Sequence, residues 1–170
     1  DFGFKLSDLE AYFPVSPYEV KKTGTEVHYL GYYIKWHPQD VYYYSVENSD
    51  FMPNDHRTEG SFSKYSSLDD KIDWLHYHTA SIKFGIGRAT YDSAQEVRNG
   101  KITRNEAINL VNKFDGEFPE KYLKEFCDYI SITEENFYKI VDSFRSPHIW
   151  GKENGVWKLR HTVSGTGINV

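Results

Sequence analysis

The chain lacks several features that would define a function directly. Its 170 residues contain one cysteine, Cys127, which excludes an internal disulfide and a cysteine-based zinc site. It has no apolar run of roughly 18 residues, the minimum for a membrane-spanning helix. The formal charge is −5 and no basic stripe is present, which argues against binding to nucleic acid. We therefore expect neither membrane insertion nor a nucleic-acid partner.

Motifs for common chemistries are also missing. The chain has no Walker motif, no Gly-x-Ser-x-Gly elbow and no phosphate loop of the Ser-Gly-Gly-x-Asp-Ser type. The seven histidines are scattered, and His76 and His78 point to opposite sides of a predicted helix, so no metal site is predicted. The sequence identifies no catalytic residue, and a complete nucleotide site cannot be built from this chain alone.

Aromatic residues are abundant, at 17% of the chain. Tyrosine and tryptophan combine a large apolar surface with a polar tip, so they suit wet clefts as well as cores. Around Glu26–Trp36 the aromatic and β-branched residues favour a strand by propensity, although a buried helix is the alternative for so short an apolar run. Cys127 lies on an apolar helix face and is expected to be a buried small hydrophobe.

Helical patterns dominate the rest of the chain. Pro38 is expected to begin a helix that ends at Asn48, and residues 48–66 are expected to form a long loop that is functional or mobile. A capping box of Ser67 and Asp70 predicts the next helix. The inward face of this helix is predicted to contain Leu68, Ile72, Leu75, Thr79 and Ile82. Further helices are predicted from Thr90 or Asp92 to Asn99, from the capping box of Thr103 and Glu106 to Phe114, and from Pro119 to Ile130. A last helix is predicted after Thr133, with Phe137, Ile140, Val141 and Phe144 inward, and a hairpin is predicted around Asn154–Gly155.

The sequence thus predicts a mainly α fold. We expect one multi-helix domain over residues 1–170, with an irregular aromatic-rich N-terminal segment and a small C-terminal β-hairpin.

The joint at Phe84–Thr90 is the best candidate for anion binding. Two glycines, Arg88 and a helix start lie together there, and the N–H groups of a helix N-terminus favour an anion. The alternative is a plain helix-to-helix turn, with Arg88 solvated or paired to Asp92. Arg98 and Arg104 flank the turn at Gly100 and are either solvated or within reach of the same anion.

Two loop residues and one tryptophan complete the candidate set. Lys64 lies in a polar run before a helix, where a compact cation suits phosphate oxygens, and the alternative is an exposed loop lysine. Glu59 lies in the same loop. Trp36 either stacks on a ring of a ligand or fills the core.

A family resemblance covers the chain in order from about Leu30 to Val163. The chain resembles the C-terminal half of the N-acetyl sugar amidotransferases, which belong to the PP-loop ATP pyrophosphatase superfamily. The matching segments are Leu30–Trp36, Arg57–Gly60, Lys64–Lys71, Lys83–Asp92, Gln95–Gly100, Asp115–Pro119 and Phe144–His148.

This resemblance implies an enzyme of bacterial surface-polysaccharide or lipopolysaccharide biosynthesis in the cytoplasm. Such an enzyme converts the acetamido group of a nucleotide-linked N-acetyl sugar into an acetamidino group. ATP, with magnesium, adenylates the amide oxygen, and ammonia from a glutaminase partner displaces AMP. We hypothesise that Lys64, Arg88, Arg98, Arg104, Glu59 and Trp36 bind the substrate or its phosphates.

The phosphate loop of these enzymes lies in their N-terminal half. We therefore expect this chain to be the C-terminal part of a larger PP-loop enzyme, inactive alone and without a cofactor of its own. The alternatives are a non-catalytic helical module that binds another protein and a carbohydrate-binding module that uses aromatic platforms.

Overall fold

The computed structural model describes residues 3–165 and residue 167, and the chain divides into two compact units, Asp1–Trp36 and His37–Val170. The first unit contains a 3₁₀ helix at Leu6–Tyr12, helix α1 at Pro17–Thr23 and helix α2 at Leu30–Tyr33. Ser16 caps α1 by accepting a hydrogen bond from the Tyr18 N–H. The expectation of one domain over 1–170 remains a prediction.

The expected strand in Glu26–Trp36 is wrong for Leu30–Tyr33, which forms the short helix α2. The alternative of a buried helix is also wrong, since every described residue of the first unit is exposed. The hydrogen bond from the Ile34 N–H to the Leu30 carbonyl closes this turn at 3.1 Å. Aromatic and β-branched residues favour a strand because they pack against a neighbouring strand. Within the described residues no strand pairs with Leu30–Tyr33.

The second unit begins with helix α3 at Pro38–Asn48, which confirms the helix predicted from Pro38. The loop expected over residues 48–66 is confirmed from Ser49 onward, and this segment without regular helix or strand continues to Lys71. It is nevertheless folded internally, because the Thr58 N–H donates to the Ser63 carbonyl and the Thr58 hydroxyl donates to the Ser66 carbonyl, both at 2.9 Å. Four small polar residues of this loop are buried, namely Thr58, Ser61, Ser63 and Ser66.

Helices make up most of the remaining chain, which confirms the mainly α prediction. Their bounds are α4 at Ile72–Phe84, α5 at Arg88–Arg98, α6 at Arg104–Phe114, a 3₁₀ turn at Glu120–Tyr122, α7 at Leu123–Tyr129 and α8 at Glu134–Ser143. Among the described residues, no helix is both long and apolar enough to cross a membrane.

The predicted start of α4 is wrong. Ser67 has a left-handed φ of 56° and lies before the helix, so it cannot act as the cap. Asp70 does so instead, since its Oδ1 accepts hydrogen bonds from the N–H groups of Ile72 and Asp73 at 2.7 and 2.9 Å. Helix α5 likewise begins at Arg88, before the predicted Thr90 or Asp92.

The core lies where α4, α7 and α8 meet. It contains Leu75, Ile82, Leu123, Cys127, Phe137 and Val141. The buried position predicted for Cys127 is confirmed, and burial raises the pKa of its thiol. Ile140 and Phe144 were predicted to point inward, but they are about half exposed, at 49% and 58%.

The predicted C-terminal hairpin is confirmed as strands β1, Trp150–Glu153, and β2, Val156–Leu159, which pair antiparallel. Because of this hairpin the fold is mainly α and not all-α. Asn154 and Gly155 turn the chain with positive φ values of 50° and 82°, as an Asn-Gly hairpin turn requires. The Trp150 indole N–H donates to the Ile82 carbonyl at 2.6 Å, which ties the hairpin to α4.

Candidate functional site

A half-buried ion pair between Arg57 and Glu117 joins the long loop to the segment after α6. The guanidinium donates two hydrogen bonds to the carboxylate, one of them at 2.6 Å. The Gly60 N–H donates to the same carboxylate at 2.9 Å, and the Phe114 ring lies 4.5 Å below the guanidinium. These contacts hold the pKa of Glu117 below its ordinary value, with the Arg57 hydrogen bonds as the main cause.

The N-terminus of α5 is occupied by a carboxylate of the protein itself. Asp115 accepts hydrogen bonds from the N–H groups of Gly87 and Thr90 at 2.8 and 2.9 Å, and from the Thr90 hydroxyl at 2.7 Å. The Ala89 N–H donates to the Gly60 carbonyl at 3.0 Å. An external anion at the predicted helix start would therefore have to displace Asp115.

Arg88 is held by three different side chains. Its Nε donates to Asp92 at 2.9 Å, and its two terminal nitrogens contact the Tyr77 hydroxyl at 3.3 Å and the Ser66 hydroxyl at 3.4 Å. The pairing of Arg88 with Asp92, one of the possibilities considered for this residue, is present. Asp92 also accepts a hydrogen bond from Ser61, which connects this network to the loop.

A small cavity of about 10 Å³ lies at the centre of these networks. This volume is about the minimum that holds one water molecule. Two polar atoms of its lining residues, Glu59 Oε2 and His78 Nδ1, are buried without a hydrogen-bond partner among the described residues. Its lining residues are Glu59, Gly60, Tyr77, His78, Ser81, Gly87, Arg88, Asp115 and Glu117.

The environment moves the pKa values of the titratable groups here in different directions. Burial raises the pKa of Glu59, and the nearby Glu117 carboxylate raises it further. Burial lowers the pKa of His78 and so favours the neutral imidazole. Glu59 is therefore the carboxyl with a raised pKa, and Glu117 beside it has a lowered one. Carboxyl groups separated in this way are typical of acid–base sites.

Two wider cavities lie against the hairpin and share walls with the small cavity. One, of about 440 Å³, includes His78, Ser81, Arg145 and Trp157. The other, of about 460 Å³, includes Ser81, Gly87 and Asp115. Five residues line both, namely Ser81, Gly116, Trp150, Leu159 and Thr162, so we treat the two as one surface, the hairpin groove.

Aromatic rings and a guanidinium form one wall of the hairpin groove. The Arg145 guanidinium lies 4.4 Å from the Trp150 ring centre and 5.6 Å from that of Trp157. Asp142 fixes this arrangement by accepting from Arg145 at 2.8 Å and from the Trp157 indole at 3.1 Å. The groove thus combines flat apolar surfaces with a positive charge.

Comparison with known protein families identifies the family of this chain. Residues 59–163 match the family described as LPS biosynthesis protein WbpG-like, C-terminal domain. The chain belongs to this family. The match spans the small cavity from Glu59 onward and the hairpin groove up to Val163, so the family segment contains nearly all of the site. No curated protein matches the chain.

The WbpG-like domain brings together only part of the residue set predicted from the sequence. Glu59 and Arg88 line the same small cavity. Lys64, Arg98 and Arg104 are exposed and form no ion pair within residues 3–165. Trp36 is 48% exposed and belongs to the first unit. The substrate or phosphate role of all six remains a prediction.

Several residues of the site carried no individual signal in the sequence. They are Arg57, Tyr77, His78, Asp115, Glu117 and Arg145. Arg57, Asp115, Glu117 and Arg145 lie in segments that carry the family resemblance, which marked these segments without assigning a role to the four residues. The partners Arg57 and Glu117 are 60 positions apart, so no local pattern connects them.

A further cavity of the WbpG-like domain, between α4, α7 and α8, has a different character. It measures about 520 Å³. Its lining is mainly apolar and includes the exposed side chains of Phe84, Ile130, Ile140 and Phe144. Because it contains no carboxyl group, we assign the candidate chemistry to the small polar cavity and the hairpin groove.

Proposed function

We propose that this domain is part of an ATP-dependent amidotransferase that converts a sugar acetamido group into an acetamidino group in lipopolysaccharide biosynthesis. Family membership establishes the link to lipopolysaccharide biosynthesis. The finer reaction is supported by the resemblance to N-acetyl sugar amidotransferases. The observation that carries the proposal is the hairpin groove next to a cavity with a raised-pKa carboxyl group.

The hairpin groove suits a nucleotide-linked N-acetyl sugar. Its two parts have volumes within the range typical of small-molecule sites. The Trp150 and Trp157 rings offer flat surfaces for a sugar or base ring, and Arg145 offers N–H donors for a phosphate oxygen. Lys158 adds a second positive charge to the lining. We therefore assign substrate binding to this groove.

ATP, magnesium and the glutaminase are components of the proposed reaction that we do not assign to the described residues. The chain has no PP-loop, and Asp115 already uses the N–H groups at the start of α5. The described residues therefore do not fit ATP and magnesium, and no step that we assign to this chain uses ATP or magnesium. In the proposal, another part of the bacterial cytoplasmic enzyme holds ATP and a glutaminase partner supplies ammonia.

Arg145→Ala is expected to weaken the binding of a UDP-linked N-acetyl sugar about tenfold or more, measured by calorimetry on the 170-residue chain. The reason is the loss of a charged hydrogen bond, which contributes about 1.5–3 kcal/mol. Lys158→Ala is a second variant with less effect on packing. Lys139→Ala is the matched control, because Lys139 is exposed on α8 and paired with Glu135. Equal affinity in all four proteins would refute the assignment of the groove.

A protein-docking module is the second candidate function. The specific observation in its favour is the apolar cavity between α4, α7 and α8, with Phe84 and Phe144 more than half exposed. The same titration separates the two candidates. Binding of the UDP-linked sugar favours the first, and no sugar binding together with a stable complex with the glutaminase favours the second. Preference for a free glycan over the UDP-linked sugar indicates a carbohydrate-binding module.

A further inference from the structure

Glu59 differs from the other carboxylates around the small cavity. Glu117 is bound by Arg57 and the Gly60 N–H, and Asp115 is bound by Gly87 and Thr90. Glu59 Oε2 is buried and has no partner among the described residues. An unpaired buried oxygen lowers stability, so its presence in a polar cavity suggests a ligand that completes it.

The size and the lining of the cavity define that ligand. A volume of about 10 Å³ admits one molecule the size of water or ammonia and is too small for a phosphate or a sugar. The lining contains the carboxylates of Glu59, Asp115 and Glu117, and of these Glu59 has an oxygen, Oε2, without a partner among the described residues. The cation in the wall, Arg88, is already bound to Asp92. The cavity therefore favours a small molecule with several N–H or O–H donors.

The cavity is adjacent to the hairpin groove. His78 and Ser81 line both the small cavity and the first part of the groove, and Ser81, Gly87 and Asp115 line both the small cavity and the second part. His78, Ser81, Gly87 and Asp115 thus form walls that the small cavity shares with the groove. The small cavity is therefore a suitable position for a nucleophile that must reach a substrate in the groove.

We propose that this cavity holds one ammonia molecule and that Glu59 accepts a proton from it when its nitrogen attacks a sugar bound in the hairpin groove. The inference rests on the proposed amidotransferase function. Ammonia fits better than water there because it offers three N–H donors to a wall that contains three carboxylates, whereas water offers two donors.

The step balances with an O-activated acetamido group as the co-reactant. The nitrogen lone pair of ammonia forms the new C–N bond to the activated carbon. The C–O bond breaks, and its electron pair leaves with the activated oxygen. One proton of the attacking nitrogen moves to Glu59 Oε2, and the product is the acetamidino group. A carboxyl with a raised pKa is a stronger base than an ordinary one and is suited to this transfer.

The charges that face Glu59 come from several elements. Arg57 in the loop and Lys121 in the 3₁₀ turn lower its pKa, whereas Glu117 and Glu120 raise it. His78 from α4, Arg88 from α5 and Asp115 complete the surroundings. Burial is the largest influence, so the raised pKa persists unless the cavity opens to solvent.

Activity of the full-length enzyme gives the first test. With ammonium chloride, ATP and a UDP-linked N-acetyl sugar, Glu59→Gln is expected to lower kcat about 100-fold or more while KM for the sugar is unchanged. Glu59→Asp should recover part of the loss. Glu125→Gln is the matched control, because Glu125 is exposed and paired with Lys71. A Glu59→Gln enzyme with wild-type kcat would overturn the inference.

The second test does not depend on activity. In the 170-residue chain, the ¹³C carboxyl signal of Glu59 should shift on addition of ammonium chloride but not of sodium chloride at the same ionic strength. An equal response to both salts would mean that water alone occupies the cavity and would also overturn the inference. A wild-type enzyme that forms no amidine would instead refute the proposed function, and the salt comparison would still decide the ammonia site.

Unfolding measured at several pH values tests whether Glu59→Gln folds. The same measurement reports the protonation of the Glu59 carboxyl group in the wild type. Because the pKa of Glu59 is raised above 4.5 in the folded state, the folded chain binds more protons than the unfolded chain between these pKa values. The contribution of Glu59 to stability therefore falls as pH rises through this window, and the fall is complete above the raised pKa. Glu59→Gln should be more stable than the wild type there, and the difference should shrink as pH falls toward 4.5.

Discussion

Gly85→Ala is expected to lower the free energy of unfolding by about 3 kcal/mol, the sum of left-handed backbone strain and overpacking. Gly85 ends α4 with a φ of 72°, and an added Cβ would lie 2.5 Å from the Ile149 Cγ2 atom and 3.3 Å from Leu159 Cδ2. The hairpin would have to move away from α4. Chemical denaturation measures the stability, and binding of the UDP-linked sugar should weaken in the same variant because the groove widens.

Gly100→Ala is the matched control for this prediction. Gly100 also has a positive φ, 70°, but an added Cβ would meet no atom within 4 Å. Only the backbone strain remains, so the expected loss is about 1 kcal/mol and sugar binding should not change. If both variants lose the same stability, the close contact between Gly85 and the hairpin is not what holds the groove together.

Asp115→Ala is expected to lower the free energy of unfolding by about 2–4 kcal/mol. Asp115 accepts three hydrogen bonds from Gly87 and Thr90 in a half-buried site, and bonds to a charged acceptor contribute more than those of an ordinary exposed cap. Its removal leaves the N–H groups of Gly87 and Thr90 without their acceptor next to the small cavity. Urea denaturation measures the loss, and Asp115→Asn should retain about half of the stabilisation because one acceptor oxygen remains.

Glu106→Ala provides the comparison, because Glu106 belongs to the capping box of α6 and is exposed. An exposed cap contributes about 1 kcal/mol, so this variant should lose clearly less stability than Asp115→Ala. A loss of the same size in both would show that Asp115 is an ordinary helix cap rather than a structural part of the cavity wall.

Local signals in the sequence predicted the elements that depend on neighbouring residues. The Pro38 helix start, the Thr103 and Glu106 capping box and the Asn154–Gly155 turn are all confirmed, because each requires only a few adjacent residues. The Ser67 cap failed for a tertiary reason. The Ser67 carbonyl accepts a hydrogen bond from the Trp74 indole at 3.4 Å, and its left-handed φ places it outside the helix.

The candidate site could be predicted only in part. Arg88 and Asp92 are four positions apart on α5, so their pairing was visible as an alternative. Asp115 contacts Gly87 across 28 positions, and the family resemblance marked the two segments without indicating this contact. The roles of Arg145 and His78 depend on the docking of the hairpin and on burial, which composition and periodicity do not report.

Binding of the nucleotide-linked sugar in the hairpin groove can be detected by the tryptophan indole ¹⁵N–H signals. The chain has four tryptophans, Trp36, Trp74, Trp150 and Trp157. If the groove is the binding site, titration with a UDP-linked N-acetyl sugar should shift the signals of Trp150 and Trp157, while the signal of Trp74, which is buried against Tyr122, stays in place. A shift of Trp36 alone, or saturating binding with unchanged Trp150 and Trp157 signals, would contradict binding in the groove.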